Sequence, residues 1–313
     1  MTKQIILPIL LLLAGAAACA ASSGEGVSGA QFLRIGPAAR PSALGEAGAA
    51  AAGAQALFYN PAGLAASAGT EVFLSQTQWL QDVNYSSLAL SRKVSGGALG
   101  FSANYLSVPA TDKYDNLGNN LGDQYSASDL AAGFGFAAEL DEKTAFGFAA
   151  KFVSSRLEDS RASGAAFDAG ARYAALPGRL SLGAAVQNAG GGLKYESESA
   201  PLPLTFRAGG EYVFQLQEAE GRRQSVAALL DGTYLKDSGA GTGAGLEYAS
   251  ESESGSFALR GGWHTTGAGK GAGLTLGLGI SSQAYMLDYS YSAMGDLGQA
   301  HRLSLTLRFG AAS

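Results

Sequence analysis

The stretch HRLSLTLRF, residues 301–309, alternates strictly between apolar and polar side chains. Its apolar members are Leu303, Leu305, Leu307 and Phe309, and its polar members include Ser304, Thr306 and Arg308. Three more segments alternate in the same way: TAFGFAAKF (144–152), GLTLGLGI (273–280) and AYMLDYSYS (284–292), where Asp288 falls on the polar face. Because successive side chains of a strand point to opposite faces, this period of two predicts strands with one apolar and one polar face.

About 14 such segments fit between residue 69 and the end of the chain. They begin near Glu71, Asn84, Gly96, Tyr125, Lys143, Gly164, Gly178, Pro201, Arg222, Gly239, Ser254, Ala268, Gln283 and Ala300. Most are longer than the strands of soluble sheets, and a tilted strand that crosses a membrane needs about 9 to 11 residues.

The lengths of the connections between these strands supply an independent argument. If both ends of the strand series are periplasmic, every second connection is extracellular. The predicted periplasmic connections are mostly short, as at Val94 and Leu140, whereas the other set contains the long segments 107–124, 156–163 and 188–200. Short periplasmic turns and longer outer loops are typical of outer-membrane barrels. The sequence therefore predicts an all-β fold, a transmembrane antiparallel barrel of about 14 strands.

The composition argues against several function classes. Charged residues make up 15 % of the chain and hydrophobic residues 47 %, and the net charge is −5. A nucleic-acid partner is not expected, because binding phosphates requires clustered Lys and Arg. The two histidines, His264 and His301, have no further ligand at metal-binding spacing, and no nucleophile motif is present. We predict a protein that is not an enzyme and that holds neither metal nor cofactor.

Residues 1–20 are predicted to be a secretory signal peptide. Lys3 precedes an apolar run over residues 5–17, and Ala18-Cys19-Ala20 matches a small-x-small cleavage site. The run is shorter than the roughly 20 residues that a membrane-spanning helix needs. Lipidation of Cys19, the only cysteine, is the alternative. Export followed by insertion of a barrel predicts the outer membrane as the location and its lipid as a partner.

Residues 21–68 differ from the predicted barrel, residues 69–313. They are rich in alanine and glycine, show no alternation and are too weakly apolar to cross lipid. We predict that they form a small helical plug in the barrel lumen, where small residues allow the backbone to pack closely against the wall. The alternative is a surface helix or linker that precedes the barrel.

The strand pattern predicts positions for some polar and aromatic side chains. Trp79, Trp263 and Tyr291 lie near strand ends, which is typical of aromatic girdles at the membrane interfaces. Ligand stacking is the alternative for these rings. Arg308 and Asp288 lie on polar strand faces and are predicted to be lumen charges that pair with the plug.

Four motifs occur in this order along the chain: FLRIG at Phe32, ALGEAGAAAAGAQALFYNPAGLA at Ala43, QWLQDVNYSSLAL at Gln78 and the closing HRLSLTLRF. In sequence and order they resemble the PorV/PorQ family, within the FadL-like group of outer-membrane barrels. The most specific piece, Asn60-Pro61-Ala62-Gly63, resembles the Asn-Pro-Ala element of FadL-like plugs. The resemblance implies a 14-stranded barrel with an N-terminal plug. This chain departs from the family at residues 53–55, Gly-Ala-Gln, where an acidic residue is common, so the lumen salt bridge of the family is not expected.

Three functions follow as hypotheses. The resemblance implies an accessory of type IX protein export, which would engage secretion machinery or cargo proteins. The first alternative is a FadL-like channel for the uptake of a hydrophobic small molecule. A bulge in a strand beside the plug, or an apolar tunnel past Asn60, would favour it. The second alternative is a closed structural or adhesive surface barrel, which large outer loops would favour.

Overall fold

The computed structural model describes residues 28–195, 198–216, 218, 221–265 and 272–310. The predicted signal peptide, with Cys19, lies outside these residues, as do residues 21–27 of the predicted plug. Among the described helices, none is long and apolar enough to cross a bilayer.

The described chain forms a closed antiparallel barrel, which confirms the predicted fold. Its strands are β1 (Thr70–Gln78), β2 (Asn84–Val94), β3 (Gly97–Tyr114), β4 (Asn120–Glu139), β5 (Thr144–Leu157), β6 (Ser160–Leu176), β7 (Leu180–Gly190), β10 (Thr205–Gln215), β11 (Arg223–Leu235), β12 (Gly239–Ser252), β13 (Gly255–Thr265), β14 (Ala272–Ser281), β15 (Tyr285–Ala293) and β16 (Gln299–Phe309). Within the described residues these fourteen strands make up the barrel, and the two remaining strands, β8 and β9, form a separate small sheet, Leu193–Tyr195 with Glu198–Ala200. The barrel closes where β1 pairs with β16, from Thr70 opposite Phe309 to Gln78 opposite His301.

The two faces of the strands follow the alternation in the sequence. On β16 the leucines face outward, with Leu303 51 % exposed, while Ser304 beneath the plug is buried. Phe134, Phe148 and Leu230 are likewise more than 60 % exposed on the outer surface. Such a continuous apolar belt is unfavourable in water and typical of a lipid-facing surface. The protein is therefore an outer-membrane barrel.

The long outer connections are organised differently from the prediction. Most of segment 107–124 belongs to β3 and β4, and only residues 115–119 join them. Likewise β5 and β6 account for most of segment 156–163. These strands continue beyond the belt with polar side chains on both faces, for example in the Lys113–Asp123 ion pair, so the alternation that marks a strand disappears.

The third long connection folds back into the barrel. It contains a small hairpin of β8 (Leu193–Tyr195) and β9 (Glu198–Ala200). Leu193 is fully buried in an apolar cluster with Phe32 of the plug. The connection therefore covers the outer side of the plug instead of extending into solvent.

Residues 28–69 lie inside the barrel, so the alternative of a surface linker is wrong. They form one short helix, α1 (Ala39–Ala43), and 3-10 turns at Gln31–Arg34, Ala54–Phe58 and Pro61–Ala66. Two more 3-10 turns, Leu80–Asp82 and Gly295–Leu297, lie in outer connections. Wall glycines allow close approach of the plug backbone, since a Cβ atom at Gly183 would overlap the carbonyl oxygen of Ala49.

Candidate functional site: the plugged lumen

Asn60 is the centre of the plug and is fully buried. Its side-chain oxygen accepts a hydrogen bond from the Ala62 amide at 3.1 Å and caps the 3-10 turn that begins at Pro61. Its Nδ2 donates to the carbonyl oxygens of Ala49, at 2.8 Å, and of Ala171 in β6, at 3.0 Å. Asn60 thus joins two segments of the plug to the wall. Ala62 and Gly63 lie buried beside it.

The acidic group that the sequence lacks at residues 53–55 is supplied by the wall. Glu71, at the periplasmic start of β1, accepts a hydrogen bond from the Ala54 amide at 2.8 Å. Gly53 adopts a φ of +77°, which favours glycine, and a Cβ atom there would also displace this carboxylate. The plug therefore has a carboxylate contact here, but it is a hydrogen bond to the backbone instead of a salt bridge.

A chain of five charged side chains ties α1 to strands β10, β12, β13 and β15 of the wall. Arg40 Nη2 lies 2.6 Å from Glu211 Oε1 and 2.8 Å from Glu247 Oε1. Arg260 bonds the other oxygen of Glu247 and also Asp288, at 2.7 Å. Burial alone would lower the pKa of Arg40, but the carboxylates of Glu247 and Glu211 raise it well above its usual value. The plug cation therefore stays charged and bridges β10 and β12.

A second cluster ties the plug to the seam between β1 and β16. Arg302 of β16 is fully buried, pairs with Glu46 at 3.2 Å and donates from Nε to the Gly36 carbonyl at 3.0 Å. Two serines of the seam also bind the plug, with Ser75 Oγ donating to the Pro37 carbonyl and Ser304 Oγ accepting from the Ala39 amide. Both strands of the seam therefore hold residues 36–39.

Tyr59 and Asp231 complete the contacts of the plug. The Tyr59 hydroxyl accepts a hydrogen bond from the Ala38 amide at 3.1 Å. Burial, and then the nearby Glu46 carboxylate, raise the pKa of this phenol. Asp231 Oδ2 accepts from the Gly48 and Ala49 amides, both at 2.7 Å. Arg207 lies 3.2 Å from the same oxygen, so the carboxylate serves both the wall and the plug.

The predicted lumen charges occupy different environments. Asp288 is buried and pairs with Arg260 of the wall, so its link to the plug runs through Glu247 and Arg40. Arg308 lies opposite Glu71 in the register and lines the periplasmic mouth of the lumen, where no ion-pair partner is present among the described residues. Neither residue makes the direct salt bridge with the plug that the sequence suggested.

The three predicted interfacial aromatics also lie in different environments. Trp263 is 51 % exposed on the lipid-facing side of β13, near its outer end. Tyr291 lies near the outer end of β15, with its ring edge-on to His301 at 5.6 Å. The interfacial position predicted for Trp79 is wrong, because its ring lies 5.1 Å from the Arg302 guanidinium and so faces the lumen. The register explains this, since Gln78 is the last outward-facing residue of β1.

A cavity of about 130 Å³ lies between the plug and the outer half of the wall. Its apolar lining includes Leu33, Ile35, Phe58 and Leu235. Polar lining comes from side chains of β7, β10, β11 and β13, among them Gln187, Asn188, Arg207, Asp231, Thr233 and His264. In the described part of the chain, no group of three or more His, Cys, Asp or Glu side chains converges as a metal site.

A β-bulge borders this cavity. Between β6 and β7 the register passes from Phe167–Ala189 to Ala169–Val186, so both Gln187 and Asn188 oppose Asp168. Asn188 adopts a φ of +61°, and its amide donates to Asp168 at 2.8 Å. Lys151 pairs with the same carboxylate at 2.8 Å. The bulge is therefore a built feature that bends the wall beside the plug.

Sequence reasoning missed most of the charged residues that hold the plug. Glu247 and Arg260 lie on the inward faces of their strands, so alternation could have identified them as it identified Asp288. Arg40 is a lone cation within an alanine-rich segment. Its isolation in that segment was the available signal.

The fold is that of known outer-membrane channels. The toluene transporter TodX of Pseudomonas putida superposes with a TM-score of 0.59 at 14 % identity, over 85 % of this chain and 95 % of that chain. The CymD monoaromatic hydrocarbon channel gives a TM-score of 0.59 at 14 % identity, over 88 % of this chain and 98 % of that chain. At such identities the likeness shows the fold alone. No family model and no curated protein matches the sequence.

Proposed function

We propose that this protein is a non-catalytic channel that admits small hydrophobic molecules through the outer membrane. The observation that carries the proposal is the cavity of about 130 Å³ bordered by the plug on one side and by the β6–β7 bulge on the other. A bulge beside the plug is the feature expected of a channel whose ligand leaves through or along the wall.

The size of the cavity limits the ligand. An engineered apolar cavity of about 150 Å³ in another protein accepts benzene. A volume of about 130 Å³ therefore suits a molecule near the size of one aromatic ring. Leu33, Ile35, Phe58 and Leu235 offer it apolar contact. The names of TodX and CymD, a toluene transporter and a monoaromatic hydrocarbon channel, are consistent with this ligand class.

Two paths could lead onward from the cavity. Gln187 and Asn188 line the cavity and form the bulge, which lies in the wall between the lumen and the lipid. Below the plug, a vestibule of about 610 Å³ with Arg308 at its edge opens toward the periplasm. The second path requires the plug to move, because Asn60 binds it to β6 and Arg40 binds it to β10 and β12. We therefore favour the path through the bulge.

The other hypotheses rest on different grounds. A role in type IX protein export, with secretion machinery or cargo as partners, rests on the PorV/PorQ resemblance alone. An adhesive barrel would use the β3–β4 hairpin, whose tip at residues 115–119 projects beyond the belt. Both hypotheses predict a bound protein, whereas the channel predicts a bound small molecule.

Toluene binding and uptake test the channel. We expect saturable toluene binding to the purified protein by ligand-observed NMR, and faster uptake by cells of a Gram-negative host that express it. Thr233→Phe places a ring in the cavity and should abolish both. Thr70→Phe, at the lipid-facing start of β1, is the matched control and should abolish neither. Absence of saturable binding by the unmodified protein would overturn the proposal, and co-purification of an exported protein would favour the export hypothesis.

A further inference from the structure

Two arginines face each other on the outside of the barrel, above the apolar belt. Arg156 of β5 lies directly opposite Arg161 of β6 in the strand register, and the outer turn at residues 158–159 joins the two strands. Alternation places these arginines on the same face as Phe152 and Phe167, each of which is more than half exposed to lipid. This feature, which we call the arginine pair, is therefore separate from the lumen and its cavity.

The arginine pair is the one place in the described registers where two like charges oppose each other. The other facing pairs of charged residues have opposite signs: Glu71 with Arg308, Arg223 with Glu251, and Glu247 with Arg260. Like charges directly opposite each other destabilise a sheet, because their Cβ atoms are only about 4.5–5.5 Å apart. An anion bound between the two guanidinium groups would remove this repulsion.

The described part of the chain does not supply that anion. Arg156 and Arg161 are both exposed, and neither has an ion pair with a described residue. Arg156 Nε donates to the carbonyl oxygen of Glu158 at 2.9 Å, whereas the Glu158 carboxylate pairs with Lys113 at 2.8 Å. Asp159, the other acid of the turn, is exposed and makes no ion pair with either arginine. Both guanidinium groups are therefore available to a ligand from outside the chain.

A layer of hydroxyl groups separates the arginine pair from the apolar belt. Ser128 of β4 is the second neighbour of Arg156. Two residues below the pair, Ser154 lies opposite Ser163. Phe152 lies four residues below Arg156, which is roughly 10 Å along the membrane normal for a strand tilted by about 40°. Because the headgroup layer of each leaflet is about 5–8 Å thick, the arginine side chains can reach down into the headgroups of the outer leaflet.

We propose that the arginine pair binds a phosphate group of one phosphorylated glycolipid in the outer leaflet. Guanidinium groups bind phosphate through two parallel hydrogen bonds, and the phosphate supplies the negative charge that the facing arginines lack. The serine hydroxyls below the pair are placed to bond the sugar of the headgroup. The site continues downward into the apolar belt at Phe152 and Phe167, where the acyl chains pack, so it suits a lipid better than a free anion.

Native mass spectrometry of the purified protein in mild detergent, with lipid A added, tests the proposal. We expect one lipid A per barrel, retained more strongly than its enzymatically dephosphorylated form. Arg156→Gln/Arg161→Gln should weaken retention by about 25-fold, because each arginine near a membrane surface contributes about fivefold to the binding of an anionic lipid. The control Lys236→Gln removes an exposed cation from the outer turn between β11 and β12 and should leave retention unchanged.

A charge reversal tests the reason for binding. Arg161→Glu places an acid opposite Arg156 and supplies the missing counter-charge within the chain. We expect it to abolish lipid A retention and, without lipid, to raise the midpoint of heat-modifiable migration on SDS gels above that of the unmodified protein. Equal retention by the double variant and Lys236→Gln, or equal retention of dephosphorylated lipid A, would overturn the proposal. Full displacement of lipid A by millimolar inorganic phosphate would overturn it as well, because the site would then bind a free anion.

Discussion

Replacing Arg40 by alanine removes the plug cation that bonds to both β10 and β12. Three hydrogen bonds disappear: Nη2 to Glu211 at 2.6 Å, Nη2 to Glu247 at 2.8 Å and Nε to Glu247 at 3.0 Å. Glu247 retains Arg260 as a partner, but Glu211 loses its only ion pair among the described residues. The substitution therefore leaves a partly buried carboxylate in the lumen without a direct ion pair.

The magnitude follows from the burial of this group. Breaking a buried ion pair by removing one partner costs about 3–5 kcal/mol. The Arg40 and Glu211 side chains are 20 % and 17 % exposed, so water compensates in part and the lower limit applies. About 3 kcal/mol corresponds to a rise of roughly two orders of magnitude in the population of the opened plug.

Hydrogen–deuterium exchange of peptides that cover residues 36–50 measures this population. We expect their protection in Arg40→Ala to fall by about a hundredfold, in line with the larger population of the opened plug. The protection of β16 should stay unchanged. Arg223→Ala is the matched control, because its pair with Glu251 is 3.4 Å long and mostly exposed. Glu211→Gln in the Arg40→Ala background should restore part of the protection. Identical exchange in Arg40→Ala and Arg223→Ala would refute this account of how the plug is held.

Three further predictions concern the wall and the plug. With single-tryptophan variants, brominated lipids should quench Trp263 strongly and Trp79 weakly, because only Trp263 faces lipid; equal quenching would contradict the placement over Arg302. Gly183→Val should displace the plug and expose it to exchange, whereas Ala184→Val on the opposite face of the same strand should not. Deletion of residues 30–68 should leave a barrel that inserts but conducts ions in planar bilayers, and an unchanged conductance would show that these residues do not close the lumen.

The barrel was predictable because lipid imposes the same requirement on every strand. Each strand that crosses the belt needs an outward apolar side chain at every second residue, as in Leu303 and Leu305, and this pattern is local in sequence. The outer part of β3 and β4 has water on both faces, so no alternating apolar side chains are required there. The sequence of this part therefore resembled that of a loop. The position of Trp79 required the register of β1 as well as its proximity to a strand end.

The contacts of the plug were not predictable in the same way. Arg40 and Glu247 are 207 residues apart, and nothing local in either segment specifies the other. Asn60 was identifiable through the Asn-Pro-Ala-Gly motif, but its bond to Ala171 involves a backbone carbonyl, which any residue would supply. Inward polar positions could thus be found from alternation, whereas their pairing depends on the three-dimensional path of the plug.

The binding of residues 36–39 to both strands of the seam has a consequence for assembly. Ser75 is on the first strand and Ser304 on the last, and each bonds the plug segment that precedes them both. Pairing β1 with β16 closes a loop of more than two hundred residues, which is an entropically costly and slow step in folding. A plug already attached to β1 presents the Ala39 amide and the Gly36 carbonyl to the incoming β16. We expect the chain to wrap around its own N-terminal segment, so that the plug acts as a template on which the final strand is aligned before the wall closes.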